Sequence, residues 1–107
     1  MGRRGEKRAV AYLRGCGYSI LKTNYKTPFG EADIVALDGE TFVFCEVKTR
    51  QSERFGSAAE AVDWRKQRRY IDIARFFMMR AGERAVRFDV LEVYDESVRH
   101  IVAAFEA

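Results

Sequence analysis

Asp33 and the tripeptide Glu46-Val47-Lys48 supply two carboxylates and one ammonium, the groups that a hard divalent cation and a phosphodiester would need. Carboxylate oxygens suit Mg2+ or Mn2+, and Mg2+ often takes only one or two of them, completing its shell with water and phosphate oxygens. A lysine beside such a pair can hold an attacking water or offset charge on the phosphate. Metal-held water is also the stronger nucleophile at neutral pH. Hydrolysis of a phosphodiester bond is the reaction these parts suit. Asp followed later by Glu-x-Lys is a loose pattern, which a surface hairpin with ordinary salt bridges would also show. The apolar run at 42–47 argues against a solvated face, which would not need such flanks.

The elements that must position these groups are legible. Ala32-Asp33-Ile34-Val35-Ala36-Leu37 and Thr41-Phe42-Val43-Phe44-Cys45-Glu46-Val47-Lys48 are both β-rich, with Asp38-Gly39 between them. Asp-Gly between apolar runs signals a two-residue hairpin loop. Read so, Leu37 faces Glu40, Asp33 faces Phe44 and Glu31 faces Glu46. Opposed residues share a sheet face, as do residues two apart on one strand. Asp33, Glu46 and Lys48 are therefore expected on one face, with Asp33 and Glu46 as diagonal neighbours whose Cα atoms lie roughly 7–8 Å apart. A one-residue slip would break this arrangement. Two such carboxylates repel within an apolar sheet, and a cation between them resolves the conflict. Residues 42–45, apolar on both faces, predict a central strand covered on both sides.

Around the hairpin, Ala9, Val10, Tyr12, Leu13 and Cys16 recur at helical spacing and predict a helix from Arg4 to Cys16, stopped by Gly17. Glu6 shares the stripe of Val10 and Leu13, as an acid at a frayed end or an outer ligand for the cation. A strand is expected at 18–24 and a turn at Pro28-Phe29-Gly30. A loop is expected at 51–56 and a helical turn at 57–62. Asp63 is the expected N-cap of a long helix through Arg80, with Tyr70, Ala74, Phe77, Met78 and Ala81 on one face and Gly82 at its end. Strands follow at 86–94 and 98–102. The order predicts an α/β fold, a mixed sheet with helices packed on it. Phe76-Phe77-Met78-Met79 reads as core or as subunit interface, which leaves a homodimer open.

The 107 residues are expected to form a single domain over 1–107. With 48% hydrophobic and 33% charged residues, the balance is that of an ordinary soluble chain. No stretch approaches the ~18 apolar residues of a membrane span. The basic N-terminus has no apolar run behind it, so no signal peptide is expected and the location is expected to be cytoplasmic. Cys16 and Cys45 form no CxxC pair and read as structural thiols. His100 is the lone histidine, which leaves little room for His-based triads or metal sites. Charge alternates along the chain. Residues 1–26 carry seven Lys/Arg against one acid, 27–47 carry five acids and no base, and 48–80 carry nine bases against four acids. An acidic island between basic segments reads either as solvated surface or as a phosphate-binding groove around a cation. Arg50, Lys66, Arg68 and Arg69 are the candidate phosphate contacts, with a solvated helix face as the competing reading.

Several segments together carry a family resemblance: Gly2-Arg3-Arg4-Gly5-Glu6, Gly30-Glu31-Ala32-Asp33-Ile34-Val35-Ala36, Phe44-Cys45-Glu46-Val47-Lys48-Thr49-Arg50, Arg54-Phe55-Gly56, Lys66-Gln67-Arg68-Arg69, Arg87-Phe88-Asp89-Val90 and Ala104-Phe105. With these the chain resembles the YraN family of small bacterial proteins, in the restriction-endonuclease-like PD-(D/E)xK superfamily, which is also similar to archaeal Holliday junction resolvases. The resemblance implies a restriction-endonuclease-like mixed sheet flanked by helices. It also implies Asp33 and Glu46 as ligands of Mg2+ or Mn2+, Lys48 as catalytic lysine and Glu6 as accessory acid. Ala32 stands where the superfamily often has proline, at a position that is not a ligand. The expectation is a divalent-metal-dependent nuclease acting on nucleic acid, DNA preferred and branched DNA included. The alternative is a non-catalytic nucleic-acid-binding or assembly domain that keeps the outline of the site.

Overall fold

Residues 3–50 and 63–106 are described in a computed structural model of the chain; the expected loop at 51–56 and helical turn at 57–62 lie outside them. The chain runs α1 (Arg3–Gly15), β1 (Ser19–Thr27), β2 (Gly30–Asp38), β3 (Thr41–Thr49), α2 (Trp64–Ala81), β4 (Val86–Val93) and β5 (Val98–Phe105). The five strands form one sheet in the order β1-β2-β3-β4-β5. All neighbours are antiparallel except β3 and β4, which run parallel. A parallel pair needs a long crossover, and α2 lies within it.

β3 is the central strand and is covered on both faces, as its unbroken apolar run predicts. On one side Ala9 and Leu13 of α1 pack with Ile34, Ala36, Val43, Cys45, Val47, Leu91 and Val93. On the other, Tyr70, Ile73, Ala74 and Phe77 of α2 pack with Val35, Phe42, Phe44 and Phe88. Asp63 caps α2 by accepting the N–H of Lys66 at 3.0 Å, and Gly82, with φ 90°, ends it. The inward face of α2 differs from expectation at two residues: Ala81 is exposed at the frayed end, and Ile73 joins the core. β5 extends past the expected 102 to Phe105, whose ring stacks on Phe88 with centroids 4.7 Å apart.

The hairpin register is also corrected. Asp38 pairs with Thr41 and Leu37 with Phe42, so the loop is Gly39-Glu40 rather than Asp38-Gly39. Of these two loop residues only Gly39 has positive φ, 60°, as a turn with glycine at its first central position requires. Asp38 stays in the strand because its carboxylate accepts from Arg87 Nη1 at 2.9 Å. The slip relative to expectation is two residues, so every side chain keeps its predicted face.

Both outer strands are irregular. β1 shifts register between Ile20 and Lys22 and turns left-handed at Asn24, φ 49°. β5 does the same, with a shift opposite Phe88–Val90 and a left-handed Ala103, φ 52°. Among the described residues no helix is long and apolar enough to cross a membrane.

Candidate functional site: an acid pair with two lysines

The β2–β3 ladder runs from Asp38↔Thr41 to Ile34↔Cys45. Continuing it would set Asp33 directly opposite Glu46, closer than the expected diagonal. There the side chain of Asp33 takes over from the backbone: its Oδ2 accepts the N–H of Val47 at 2.7 Å. Glu46 projects towards α2, where Tyr70 donates its hydroxyl to Glu46 Oε1 and to the Cys45 carbonyl, both at 3.3 Å. The Glu46 side chain is 11% exposed, and among the described residues only charged ammonium groups reach its buried Oε2. Two ammonium groups flank that oxygen. Lys48 Nζ lies 3.8 Å away, and Lys66 Nζ forms an ion pair with it from the first turn of α2. Asp33, Glu46 and Lys48 thus share the α2 side of the sheet.

Electrostatics follow from this packing. Burial pushes the Asp33 carboxyl up to about 6; the Val47 N–H holds it back, and the Glu46 carboxylate adds to the rise. Burial draws the Lys48 ammonium down, against the pull of Glu46, and the neighbouring Lys66 lowers it further. Lys66 goes the other way: burial opposes its charge, but Glu46 and Asp33 outweigh it.

The raised pKa has a cost for the fold. A carboxyl raised in the folded state loses stability as pH climbs from its unfolded value, 3.8, through about 6, and the full cost is present above that. Asp33→Asn, whose carboxamide oxygen still accepts from Val47, should therefore raise the melting temperature at pH 7–8 in chelator. The rise should be on the order of 5 °C, what about 1 kcal/mol produces in a small domain, and should vanish below about pH 4. Thermal unfolding that shows no gain at neutral pH would refute this account of the acid pair.

The other expected site residues are placed as follows. Glu6 Oε1 accepts from Asn24 Nδ2 at 2.8 Å, and Asn24 lies between the pairs Thr23↔Ile34 and Tyr25↔Ala32, at the level of Asp33. Glu6 thus reaches the neighbour of Asp33 and is not in contact with the acid pair. Arg50 pairs through Nε with the buried Glu92 at 3.3 Å. Arg68 is exposed, 3.8 Å from Asp72 on its own helix. Arg69 lays its stem over Gly30, where a Cβ would come within 2.5 Å of Arg69 Cδ. Only Lys66, expected among the phosphate contacts, is drawn into the acid pair.

Tyr70 and the Glu46-bound role of Lys66 escaped the sequence reading. The usable signal was their spacing of four, which puts Lys66 on the helical stripe already assigned inward through Tyr70. A second buried network was also missed. Arg87 donates from Nε and Nη2 to Asp89 at 2.9 Å, and from Nη2 to Tyr18 Oη at 2.6 Å. His100 Nε2 lies 2.7 Å from Asp89 Oδ2, its Nδ1 is 3.3 Å from Tyr12 Oη, and the Ala103 N–H donates to Asp89 Oδ1 at 3.0 Å.

Two carboxylates, one with a buried oxygen now met only by ammonium groups among the described residues, fit an ion that needs few protein ligands, as Mg2+ does. Among the described residues no group of three or more His, Cys, Asp or Glu could form a complete protein cage.

Comparison with known proteins gives a consistent placement. The fold is similar to that of a Holliday junction resolvase, Hjc, from Archaeoglobus fulgidus: TM-score 0.62, 23% identity, 95% of this chain and 77% of that one. The likeness bears out the restriction-endonuclease-like sheet. A UPF0102 protein of Thermodesulfovibrio yellowstonii is 43% identical over 106 residues, covering 98% of this chain and 95% of the relative. One from Caldicellulosiruptor saccharolyticus is 46% identical over 96 residues, covering 88% and 81%. Residues 5–93 match the family described as Uncharacterised protein family UPF0102, and the chain belongs to that family.

Proposed function

We propose that this protein is a divalent-metal-dependent nuclease that hydrolyses phosphodiester bonds in DNA, with branched DNA as a candidate substrate. The observation that carries the reading is the gathering of Asp33, Glu46 and Lys48, with a buried Glu46 oxygen that, among the described residues, only lysine ammonium groups reach. The resolvase likeness supports DNA as substrate class.

Asp33 and Glu46 would hold Mg2+ or Mn2+; such an ion, when bound, acidifies water and neutralises charge on the phosphate. The chain's own groups do the rest. Val47 N–H and Tyr70 Oη fix the two carboxylates, so the pair is built before substrate arrives. Lys48, partly exposed beside them, orients the attacking water and offsets negative charge as it develops on the phosphate oxygens. The water oxygen bonds to phosphorus and gives up a proton to solvent, the bond to the departing sugar oxygen breaks, and that oxygen takes up a proton from solvent.

The test is a cleavage screen with Mg2+ or Mn2+ over junction, flap, linear duplex and single-stranded DNA, and RNA. Cleavage is expected on at least one DNA substrate and is expected to be lost in Asp33→Ala. Binding without cleavage under every condition would favour the non-catalytic binding module instead.

A further inference from the structure

On the α1 side of β3, one residue past Lys48, lies a cavity of about 320 Å³ between the first turns of α1 and the carboxyl ends of β3 and β4. Arg4, Arg8 and Arg50 line it, with Thr49 and Asp95. Gly5 helps to form it: a Cβ there would come within 2.6 Å of Thr49 Oγ1, so glycine lets α1 sit on the end of β3 without displacing the Thr49 hydroxyl. Arg4 and Arg8, four apart, share one face of the helix. Arg8 is anchored by donating from Nη1 to the Tyr94 carbonyl, and Arg50 by Glu92. Each guanidinium has five donors, so anchoring leaves others for a ligand. Arg4 forms no ion pair among the described residues. The acids do not cancel this charge. Glu92 is wholly buried and already shared by Arg50, Arg99 and Tyr94, and among the described residues Asp95 is the one acid on the wall.

We infer that this arginine-lined cavity binds a backbone phosphate of nucleic acid, on the sheet face opposite the acid pair. Guanidinium forks match phosphate oxygens, and ligands of α/β sheets gather outside the carboxyl ends of parallel strands, here β3 and β4. The assignment rests on the nuclease reading for its polymeric ligand but not for its chemistry.

The test measures binding of short single-stranded DNA, with and without a 5′-phosphate, to the full chain in chelator across a range of salt. Arg4→Gln should weaken binding about five- to tenfold at low salt and reduce the salt slope by about one. Asp95→Asn should strengthen it. Arg14→Gln, at the exposed far end of α1, should do neither. Loss confined to 5′-phosphorylated DNA identifies a terminal phosphate, and equal loss on both an internal one; either supports the site. Arg4→Gln indistinguishable from Arg14→Gln, or a wild-type chain that binds no DNA, would overturn it. A wild-type chain that cleaves no DNA with Mg2+ or Mn2+ yet keeps the Arg4 effect on binding would sink the nuclease reading alone.

Discussion

Lys48→Ala should lower the cleavage rate about 10²- to 10³-fold, the effect of removing one preorganised charge at a reacting phosphate, while affinity for DNA in metal-free buffer changes little. Lys48 lies 3.8 Å from Glu46 Oε2 and within reach of anything held there. An interaction made mainly in the transition state affects rate far more than binding. Arg68→Gln provides the contrast. That side chain is two-thirds exposed and, among the described residues, pairs only with Asp72, so its loss should weaken binding and flatten the salt dependence without a separate effect on rate. Lys66 belongs to neither class, because its ammonium sits on the same carboxylate oxygen as Lys48. Lys66→Met should raise affinity for Mn2+ in the absence of DNA by removing a competing cation. Single-turnover rates and filter binding on the same variants decide the matter. Equal loss of rate and affinity in Lys48→Ala would make it a binding residue.

Arg87→Ala should be the most damaging substitution for the fold, costing about 3–5 kcal/mol, as expected when one member of a buried ion pair is removed. Asp89 is 1% exposed, and Arg87 supplies two of its hydrogen bonds while also joining Asp38 and Tyr18. Burial drives the Asp89 carboxyl up, but the bonds from His100, Arg87 and the Ala103 N–H together hold it below the ordinary range. A carboxyl depressed in the folded state contributes stability above its unfolded pKa, near 3.9, and that contribution is lost as pH falls through the lower folded value. Wild-type stability should therefore decline in that acid window, and the decline should be smaller in Arg87→Ala. Denaturant unfolding from pH 2 to 7 measures both; a loss under 1 kcal/mol at neutral pH would contradict the network's role.

Much of this was legible because strand parity is robust. The hairpin loop was displaced by one residue at each end, yet Asp33, Glu46 and Lys48 stayed on the predicted face. A conserved parity cannot report distance, so the direct opposition of Asp33 and Glu46 was not visible. Nor could parity show that Lys66 reaches back from α2 to β3, since that depends on how the helix crosses the sheet. The Arg87-Asp89-His100 network was hidden for a similar reason. Charged residues at 87 and 89 flank buried Phe88, and one strand's alternation cannot say whether its polar side meets water or a second layer. Here that side meets Tyr12 of α1 and the ring of Tyr18. His100 was weighed only for triad or metal-site chemistry, whereas its neighbours make it a buried cross-link between β5 and β4.

The paired defects of β1 and β5 bear on how this protein behaves when crowded. A five-stranded open sheet offers two rows of unpaired amide and carbonyl groups, each a template for another chain's strand. Here each outer strand slips register once and then bends through a left-handed residue, Asn24 or Ala103, and β1 also carries Lys22 and Lys26. No long straight row of backbone groups remains for a neighbour to dock on. Among the described residues, the sheet is thus guarded against self-propagating polymerisation by local irregularity and not by a covering element, which keeps its edges from being adhesive.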